Sequence, residues 1–285
     1  FFTVYNYYMG SVIPLKKSAN SAYLDLKNLL DGKLEAVEKL INTKLNSEVD
    51  LIKKMSDYHL NSGGKRIRPA LTILFSKLFG YDCGLRNIEL ASCIELIHMA
   101  SLLHDDVVDA SLLRRGSNTA NSIWGNKASV LVGDYLFTKA FQIMVKDNDR
   151  KVLTTLSDAS KSLAQGEVMQ LSLENNIDVG EEKYFKVVED KTAKLFSAAA
   201  LVGGIVANAS EKFLVSIAEY GKLIGTAFQI YDDAMDYDIT NKNIGKKVGD
   251  DFKEGKVTLP VILAIAKSNN KERSFWITPH LHRLP

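Results

Sequence analysis

Two acidic clusters with the same spacing limit how this chain can fold more than any other feature of its sequence. The first cluster comprises Asp105, Asp106 and Asp109, and the second comprises Asp232, Asp233 and Asp236. Each cluster ends an apolar segment with helical spacing, and residues i, i+1 and i+4 of a helix lie within an arc of about 100°. The three carboxylates of a cluster would therefore share one helix face, where like charges repel unless a cation neutralises them.

The ligand chemistry of these clusters points to magnesium. Carboxylate oxygens are hard ligands, and Mg²⁺ is usually bound by one or two carboxylates together with phosphate oxygens. About six negative charges would be balanced by about three Mg²⁺ ions, which leaves coordination positions for a bridging diphosphate. A single cluster is also typical of a solvated surface, whereas two clusters that both follow apolar sequence, ASLLH and TAFQIY, favour a metal site.

Basic and polar residues bracket both clusters and could bind a metal-bound diphosphate. Those near the first cluster are Lys65, Arg66, Arg68, His98, Arg114 and Arg115, and those near the second are Lys191, Thr192, Lys194, Gln229, Lys246, Lys247 and Lys256. The first three follow a Gly-Gly break, where backbone amides can also face an anion. His98 lies two helical turns before Asp105, and Gln229 lies one turn before Asp232. We therefore predict that these residues surround a diphosphate site.

The rest of the chain predicts helices throughout. Only 5 prolines occur in 285 residues, and long segments between them place Leu, Ile and Val at helical spacing. The predicted helical segments are 22–60, 69–80, 87–111, 126–146, 150–173, 182–208 and 211–238, followed by a loop and a last helix that begins near Pro260. Residues 61–69 form a break between the first two segments. We predict a single all-α domain with many helices.

Charge, cysteine content and apolar runs exclude several kinds of protein. Lys and Arg total 36 against 34 Asp and Glu, a net charge of +2, so no overall field attracts nucleic acid. Cys83 and Cys93 form neither a disulfide framework nor a zinc-ligand spacing, which fits a reducing, cytoplasmic setting. No stretch reaches the roughly 18 apolar residues of a membrane span, and the N-terminus lacks a signal-peptide pattern.

Longer motifs around the clusters identify a known family. They are GGKRIRP (63–69), IHMASLLHDDVVDASLLRRG (97–116), LVGDYLF (131–137), QGEVMQL (165–171), KTAKLF (191–196), FQIYDDAMD (228–236) and GKKVGDDFKEGKVTLP (245–260). Over residues 20–275 the chain resembles the trans-isoprenyl diphosphate synthases, nearest to the long-chain, octaprenyl-type polyprenyl synthases. The resemblance implies the all-helical isoprenoid synthase fold, with a deep central cavity and usually as a homodimer.

The resemblance also implies a reaction. Mg²⁺ held by Asp105, Asp109 and Asp232 would activate the diphosphate of an allylic substrate, and ionisation would give an allylic cation. The double bond of isopentenyl diphosphate would attack this cation, and repeated cycles would give a trans polyprenyl diphosphate plus pyrophosphate, in isoprenoid and quinone side-chain biosynthesis. Peripheral membrane contact could assist product release.

The family's substrate contacts carry over by motif. Residues that resemble the isopentenyl diphosphate contacts are Lys65, Arg68, His98 and Arg115. Residues that resemble the allylic diphosphate contacts are Arg114, Lys191, Gln229, Lys247 and Lys256, and Thr192 would help to stabilise the cation. The implied catalytic set is Asp105, Asp109, Lys191, Thr192 and Asp232.

Small residues beside the first cluster bear on product length. Ala100 and Ser101 lie about one turn before it, where bulky aromatics give short products in the family, so a product longer than farnesyl is expected. Deeper residues among Phe137, Phe141 and Met144 could form the floor of a product tunnel, although they could equally be core packing.

Three alternatives to this interpretation stay open on the sequence. His104-Asp105 suggests an HD-type metal phosphohydrolase, but that site needs further histidines and the chain has 5. A terpene cyclase would normally replace the second aspartate cluster with an Asn/Ser/Glu pattern. A non-catalytic or truncated partner subunit of a prenyl synthase should have lost carboxylates, whereas this chain keeps both clusters.

The ends of the chain depart from the family's pattern. We expect residues 1–20 to be an N-terminal extension, with Met9-Gly10 as a candidate start, and residues 21–275 to form the synthase domain. Residues 276–285 read as an aberrant tail without helical periodicity, where long-chain members of the family continue further.

Overall fold

A computed structural model of the protein describes residues 24–26, 28–30, 32–238, 249–269, 271–272 and 276. The expected N-terminal extension (1–20), Lys246, Lys247 and all of the expected tail except Trp276 lie outside the described residues.

Helices follow one another along almost all of the described chain. In order they are α1 (Lys33–Lys44), α2 (Asp50–Asn61), α3 (Ile67–Leu78), α4 (Arg86–Val108), α5 (Ala120–Trp124), α6 (Asn126–Asp147), α7 (Arg150–Ser172), α8 (Glu181–Val188), α9 (Lys194–Val206), α10 (Glu211–Met235), α11 (Asp250–Lys253) and α12 (Leu259–Lys267). The predicted all-α fold is confirmed.

Two irregular elements interrupt the helices, and the sequence did not predict either of them. An antiparallel hairpin, β1 (Leu113–Arg114) and β2 (Ser117–Asn118), follows α4, with Leu113 opposite Asn118 and Arg114 opposite Ser117. A π turn, Glu189–Ala193, joins α8 to α9 within the segment 182–208 that we predicted as continuous helix. Both irregular elements carry predicted site residues.

Local sequence explains where several helices begin and end. The segment 22–60 divides between α1 and α2, where the Ser47 hydroxyl accepts a hydrogen bond of 3.1 Å from the Val49 N–H. The α3 helix starts after Arg66, which has a left-handed φ of 48°, and Pro69 lies in its first turn, where no helical N–H is needed. The Asp149 carboxylate caps α7 by accepting from the N–H groups of Lys151 and Val152.

The core is organised around α4, which is buried on nearly every side. It packs against α6, α3 and α1, while α9 packs against α10, α3 and α7. Fully buried side chains from these helices include Ile73, Ile94, Leu136 and Phe196. Because α4 is enclosed by apolar neighbours, its acidic C-terminal end is held in a fixed position relative to the helices around it.

The α6 helix has an exposed apolar side. Val130, Leu131, Phe141 and Val145 are between 39% and 68% exposed. Within the described residues, α6 is the one helix that is long and apolar enough to cross a membrane by length and composition. Core helices of soluble proteins pass the same test, so this is weak evidence for a span.

Candidate active site

A cavity of about 980 Å³ collects most of the predicted site residues. Its lining includes Lys65, Arg68, His98, Ser101, Asp105, Asp109, Arg114, Arg115, Lys191, Thr192, Gln229, Asp232, Asp233, Asp236 and Lys256. Leu163, Val188, Phe196 and Phe228 add an apolar part to the same wall. Elements far apart in sequence therefore contribute charged, polar and apolar groups to one space.

The two acidic clusters both lie at helix C-termini. Asp105 is in the last turn of α4 and Asp109 is its C-cap, while Asp232 is in the last turn of α10 and Asp236 is its C-cap. The C-terminus of a helix carries a partial negative charge, which adds to the repulsion among carboxylates. The location of the clusters thus increases their need for cations.

The members of the first cluster differ in position. Asp105 and Asp109 line the cavity, whereas Asp106 does not. The Asp106 side chain is only 2% exposed, and its Oδ1 accepts from Nε and Nη2 of Arg114, both at 2.8 Å. Asp106, predicted as a metal ligand, is therefore placed as an anchor for Arg114 on β1.

Burial raises the pKa of Asp105 to about 7. The charges of Lys191 and Arg114 oppose this rise in pKa, and those of Glu167 and Asp109 add to it. A carboxylate in this setting gains more from a nearby cation than an exposed one would.

Lys256 lies directly on the first cluster. Its Nζ is 2.7 Å from Asp109 Oδ2 and 2.9 Å from Glu254 Oε2. Burial alone would lower the pKa of Lys256, but the charges of Asp109 and Glu254 outweigh it and raise that pKa. Lys256, predicted to contact a diphosphate, is a charged group at the cavity wall, held by two carboxylates.

All three aspartates of the second cluster line the cavity, but Asp233 is also hydrogen-bonded to two neighbouring side chains. Asp233 is 4% exposed, and its two carboxylate oxygens accept from the Tyr184 hydroxyl at 2.6 Å and from Gln229 Nε2 at 2.7 Å. The Thr192 hydroxyl donates to Gln229 Oε1 at 2.8 Å. Burial raises the pKa of Asp233 to about 6, although these hydrogen bonds from Tyr184 and Gln229 lower it in part. Asp232 is exposed, and Asp236 Oδ2 accepts from the Asp251 N–H at 3.2 Å.

The π turn brings Lys191 and Thr192 to the cavity. Lys191 Nζ lies 2.5 Å from Glu167 Oε2 and 2.6 Å from Gln170 Oε1, both on α7. The turn can approach α7 this closely because residue 166 is glycine, since a Cβ there would lie 2.5 Å from the Lys191 backbone nitrogen. Single π turns inside helices are frequent at functional sites, because the extra residue redirects side chains.

A second group of cations meets on the other elements of the wall. Arg115 has a left-handed φ of 52° and is followed by Gly116 with φ of 78°, which is the conformation of a type I′ hairpin turn. Arg115 donates to the Gly63 carbonyl, so the hairpin contacts the Gly-Gly break before α3. The Arg68 guanidinium lies 4.3 Å from the centre of the Phe196 ring. Arg68 Nε is buried and has no hydrogen-bond partner among the described residues.

A buried carboxylate lies among these arginines. Glu95 is 3% exposed and accepts from Arg66 Nη1 at 3.1 Å. Burial raises the pKa of Glu95, and the charges of Arg66, Arg68 and Arg115 counteract this. Arg66 also lines the cavity, and it donates to Glu38 and to the Leu60 carbonyl, so it braces the turn at the cavity wall.

Burial lowers the pKa values of two further groups on this wall, His98 and Arg68. Burial, followed by the charge of Arg68, lowers the pKa of His98 well below its ordinary value, which keeps the ring neutral. Burial also lowers the pKa of Arg68 to about 10, with Glu95 opposing the change. His98 can therefore donate one hydrogen bond without adding charge.

The residues predicted to set product length separate in the structure. Ser101 lines the cavity and its hydroxyl donates to the His98 carbonyl at 2.9 Å. Ala100 is fully buried in the core and is not part of the cavity lining. Phe137, Phe141 and Met144 also lie outside the lining, and Phe141 is 43% exposed, so they do not form its floor.

The donor set fits a divalent cation that brings further oxygen ligands with it. Within the described part of the chain, no three His, Cys, Asp or Glu side chains lie close enough together to hold a metal ion by themselves. Asp105, Asp109, Asp232 and Asp236 nevertheless supply hard oxygens along one cavity. Mg²⁺ usually combines one or two carboxylates with water and phosphate oxygens, which matches such a partial site.

A family model described as polyprenyl synthetase matches residues 49–278, which is most of the chain. The chain belongs to the polyprenyl synthetase family. All of the described carboxylates and cations that line the cavity fall within the matched residues.

Individual members of the polyprenyl synthetase family are similar over most of their length. The octaprenyl diphosphate synthase of Escherichia coli (strain K12) is 46% identical over 232 residues, which cover 81% of this chain and 72% of the relative. That of Haemophilus influenzae is 42% identical over 258 residues, 90% of this chain and 78% of the relative.

Solved structures of the polyprenyl synthetase family share the fold. A decaprenyl diphosphate synthase from Rhodobacter capsulatus has a TM-score of 0.84 at 44% identity, covering 90% of this chain and 78% of that one. A polyprenyl synthase from Caulobacter crescentus CB15, complexed with calcium and isoprenyl diphosphate, has a TM-score of 0.84 at 42% identity, covering 88% and 76%. The predicted isoprenoid synthase fold is confirmed.

Membership of the polyprenyl synthetase family decides against the HD-type phosphohydrolase and the terpene cyclase. The structure gives a physical reason in the first case. His104 Nε2 lies 3.2 Å from the Val130 carbonyl and 3.4 Å from Asp134 Oδ1, against Gly133 of α6, and it is not part of the cavity lining. It therefore cannot share a metal with Asp105, as an HD-type site requires.

Four residues that position the site were not among the predicted ones. They are Glu95, Glu167, Tyr184 and Glu254. Glu167 and Glu254 lie in the quoted motifs QGEVMQL and GKKVGDDFKEGKVTLP, so their place in these motifs could have indicated a role in the site. Glu95 and Tyr184 lie outside all of the quoted motifs.

Proposed function

We propose that this protein is a Mg²⁺-dependent prenyltransferase that condenses an allylic diphosphate with successive isopentenyl diphosphate units to give a long-chain polyprenyl diphosphate and pyrophosphate. The observation that carries the proposal is the single cavity that combines two acidic clusters, two groups of cations and an apolar wall. The relatives named as octaprenyl and decaprenyl diphosphate synthases support the substrate class and a long product.

The metal would be held by Asp105, Asp109, Asp232 and Asp236, whose oxygens reach the cavity. When bound, Mg²⁺ neutralises a diphosphate leaving group and makes its departure easier. Asp106 and Asp233 would serve the site indirectly, because each is buried and hydrogen-bonded to a neighbouring side chain. The number of about three ions is part of this proposal.

Two groups of residues would bind and orient the two diphosphates. Lys65, Arg68, His98 and Arg115 lie on the wall that includes the Gly-Gly break and the hairpin, where they would bind isopentenyl diphosphate. Arg68 Nε, which is buried and has no partner in the described part of the chain, is suited to donate to a substrate oxygen there. Arg114, Lys191, Gln229 and Lys256 would bind the allylic diphosphate, as would Lys247, which lies outside the described residues.

The apolar wall would protect the reacting carbons from water. Phe196 and Phe228 lie 5.4 Å apart between their ring centres and both line the cavity. Aromatic faces attract cations, and a water-excluded space prevents capture of an allylic cation by solvent. The Thr192 hydroxyl, which is held by its hydrogen bond to Gln229, would help to stabilise the allylic cation in the same space.

We further propose that two copies of the chain associate through α6. Its exposed apolar residues Val130, Leu131, Phe141 and Val145 would be covered in a homodimer. A cytoplasmic location and a peripheral membrane contact during product release remain predictions from the sequence.

The decisive experiment is incubation with labelled isopentenyl diphosphate, farnesyl diphosphate and Mg²⁺, followed by sizing of the products. Incorporation into long chains is expected, and it should be lost in Asp105→Ala and Asp232→Ala. Asp158→Asn, an exposed substitution on α7, is the matched control and should retain activity. No incorporation by soluble, folded protein would refute the proposal and favour a non-catalytic partner subunit.

A further inference from the structure

We infer that Lys256 is an internal cation that occupies the first carboxylate cluster before a metal binds, and that Glu254 is the positioning residue that receives the lysine when the metal takes Asp109. This inference rests on the proposed metal-binding role of Asp109. According to this inference, the contacts of Lys256 with Asp109 and Glu254 control how tightly the metal binds.

The three side chains form a compact, sheltered group. The side chains of Lys256 and Asp109 are 9% and 10% exposed, and that of Glu254 is 26% exposed. Lys256 Nζ is within 2.9 Å of both carboxylates, so its charge is shared between an inner partner on the cavity wall and an outer partner nearer to solvent. Sheltered charges of this kind interact more strongly than surface pairs.

Two backbone hydrogen bonds hold the segment that leads to Lys256, so only its side chain needs to move. The Gly249 N–H donates to the Asp236 carbonyl at 2.8 Å, and the Asn175 N–H donates to the Gly255 carbonyl at 2.8 Å. The flexible stem of lysine allows its ammonium to change partners while the backbone stays in place.

Asp109 cannot serve the ammonium and a metal ion equally well. Both are cations, and close approach of Mg²⁺ to Asp109 would repel the ammonium that lies 2.7 Å from its oxygen. Glu254 offers the displaced ammonium a carboxylate without a long movement. Without Glu254, metal binding would leave the lysine charge buried and unpaired, which is costly.

This arrangement predicts opposite effects for the two neighbouring substitutions. Lys256→Gln removes the competing cation, so the metal should bind more tightly. Glu254→Gln removes the alternative partner, so the metal should bind more weakly. A merely structural role for the pair would weaken metal binding in both variants or change neither.

The test is a titration of the full chain with Mn²⁺ alone, followed by the spin-resonance signal of free Mn²⁺. Lys256→Gln should lower the dissociation constant about tenfold or more, since removing one partner of a sheltered ion pair typically changes binding by at least this factor. Glu254→Gln should raise it by about threefold or more on the same grounds. Lys253→Gln removes a lysine of α11 whose nearest carboxylate is Asp250 at 3.7 Å, and it should change nothing.

Unchanged or weaker Mn²⁺ binding in Lys256→Gln would overturn the inference. If that variant does not fold, as judged by circular dichroism, unchanged or tighter binding in Glu254→Gln would overturn it instead. Because the titration needs no turnover, it separates this inference from the proposed function: an active enzyme with unaltered Mn²⁺ affinities in both variants refutes only the inference.

Discussion

Replacing Gly166 with alanine tests whether the close contact between α7 and the π turn positions Lys191. The added Cβ would lie 2.5 Å from the Lys191 nitrogen, 2.9 Å from its Cα and 3.0 Å from the Asp190 carbonyl carbon. Ordinary contact begins at 3.4 Å, so the turn would have to move by about 0.9 Å. All three atoms belong to the backbone and cannot rotate away.

The expected loss of stability follows from two opposing effects. Alanine is favoured over glycine inside a helix by about 1 kcal/mol. Overpacking costs about 1–3 kcal/mol, and contact with backbone places Gly166→Ala in the upper part of that range. The net loss of unfolding free energy is about 1–2 kcal/mol, which lowers the melting temperature by about 2–6 °C in a chain of this size.

Activity should fall more than stability in this variant. Lys191 Nζ lies 2.5 Å from Glu167, the residue next to the substitution, and a shift of the turn would misplace the ammonium. Misplacement by about 1 Å can reduce a rate about 100-fold. Thermal denaturation and labelled-substrate incorporation measure the two effects.

The matched control is Gly180→Ala, just before α8. Its φ is −87°, and a Cβ there would meet nothing within 4 Å. Gly180→Ala should leave activity unchanged and lower the melting temperature less than Gly166→Ala does, since the expected cost is only that of a less favoured N-cap residue. Equal behaviour of the two variants would refute the role of Gly166.

Three further predictions concern the cavity and the charges around it. Ser101→Tyr should shorten the products because it narrows the cavity that Ser101 lines, and unchanged chain lengths on chromatography would contradict this. Ala100→Phe should instead lower the melting temperature by overpacking the core. Asp105→Asn should abolish incorporation without loss of stability. Asp106→Asn should lower the unfolding free energy, measured by urea denaturation, by about 1–3 kcal/mol because it weakens the buried pair with Arg114. Equal stabilities of the two variants would argue against the role of Asp106 in anchoring Arg114. Burial followed by the charge of Arg114 lowers the pKa of His59 from 6.5 to about 3, so between these pH values the unfolded chain binds a proton that the native protein does not. Unfolding free energy should therefore fall as pH drops through this window, by up to about 1.4 kcal/mol per pH unit from this histidine, and His59→Gln should have a shallower pH dependence.

Spacing and polarity were enough to predict the fold class and most of the cavity wall. The acidic clusters, His98 and Gln229 could be assigned because helical periodicity relates positions one or two turns apart. The basic residues were predicted from their bracketing of the clusters, but their division between the two diphosphates came only from the resemblance.

Contacts between distant segments could not be predicted from periodicity. Nothing local indicates that Asp106 turns to Arg114 or that Asp233 meets Tyr184, because these contacts depend on how the hairpin and α8 pack. The π turn was missed for a similar reason, since its sequence EDKTA is compatible with a regular helix. Ala100 and Ser101 are adjacent in sequence, but a helix turns 100° between them, so only one reaches the cavity.

Asp106 and Asp233, which are hydrogen-bonded to neighbouring side chains, determine whether these acidic motifs can be transferred to another protein. Copying five residues into another apolar helix would reproduce the charges but leave the middle carboxylate buried without its partner. A transplant would also need a hairpin arginine like Arg114, or a tyrosine and a glutamine like Tyr184 and Gln229, on the neighbouring elements. The smallest unit that an engineer could move is therefore a helix end together with the element that packs against it.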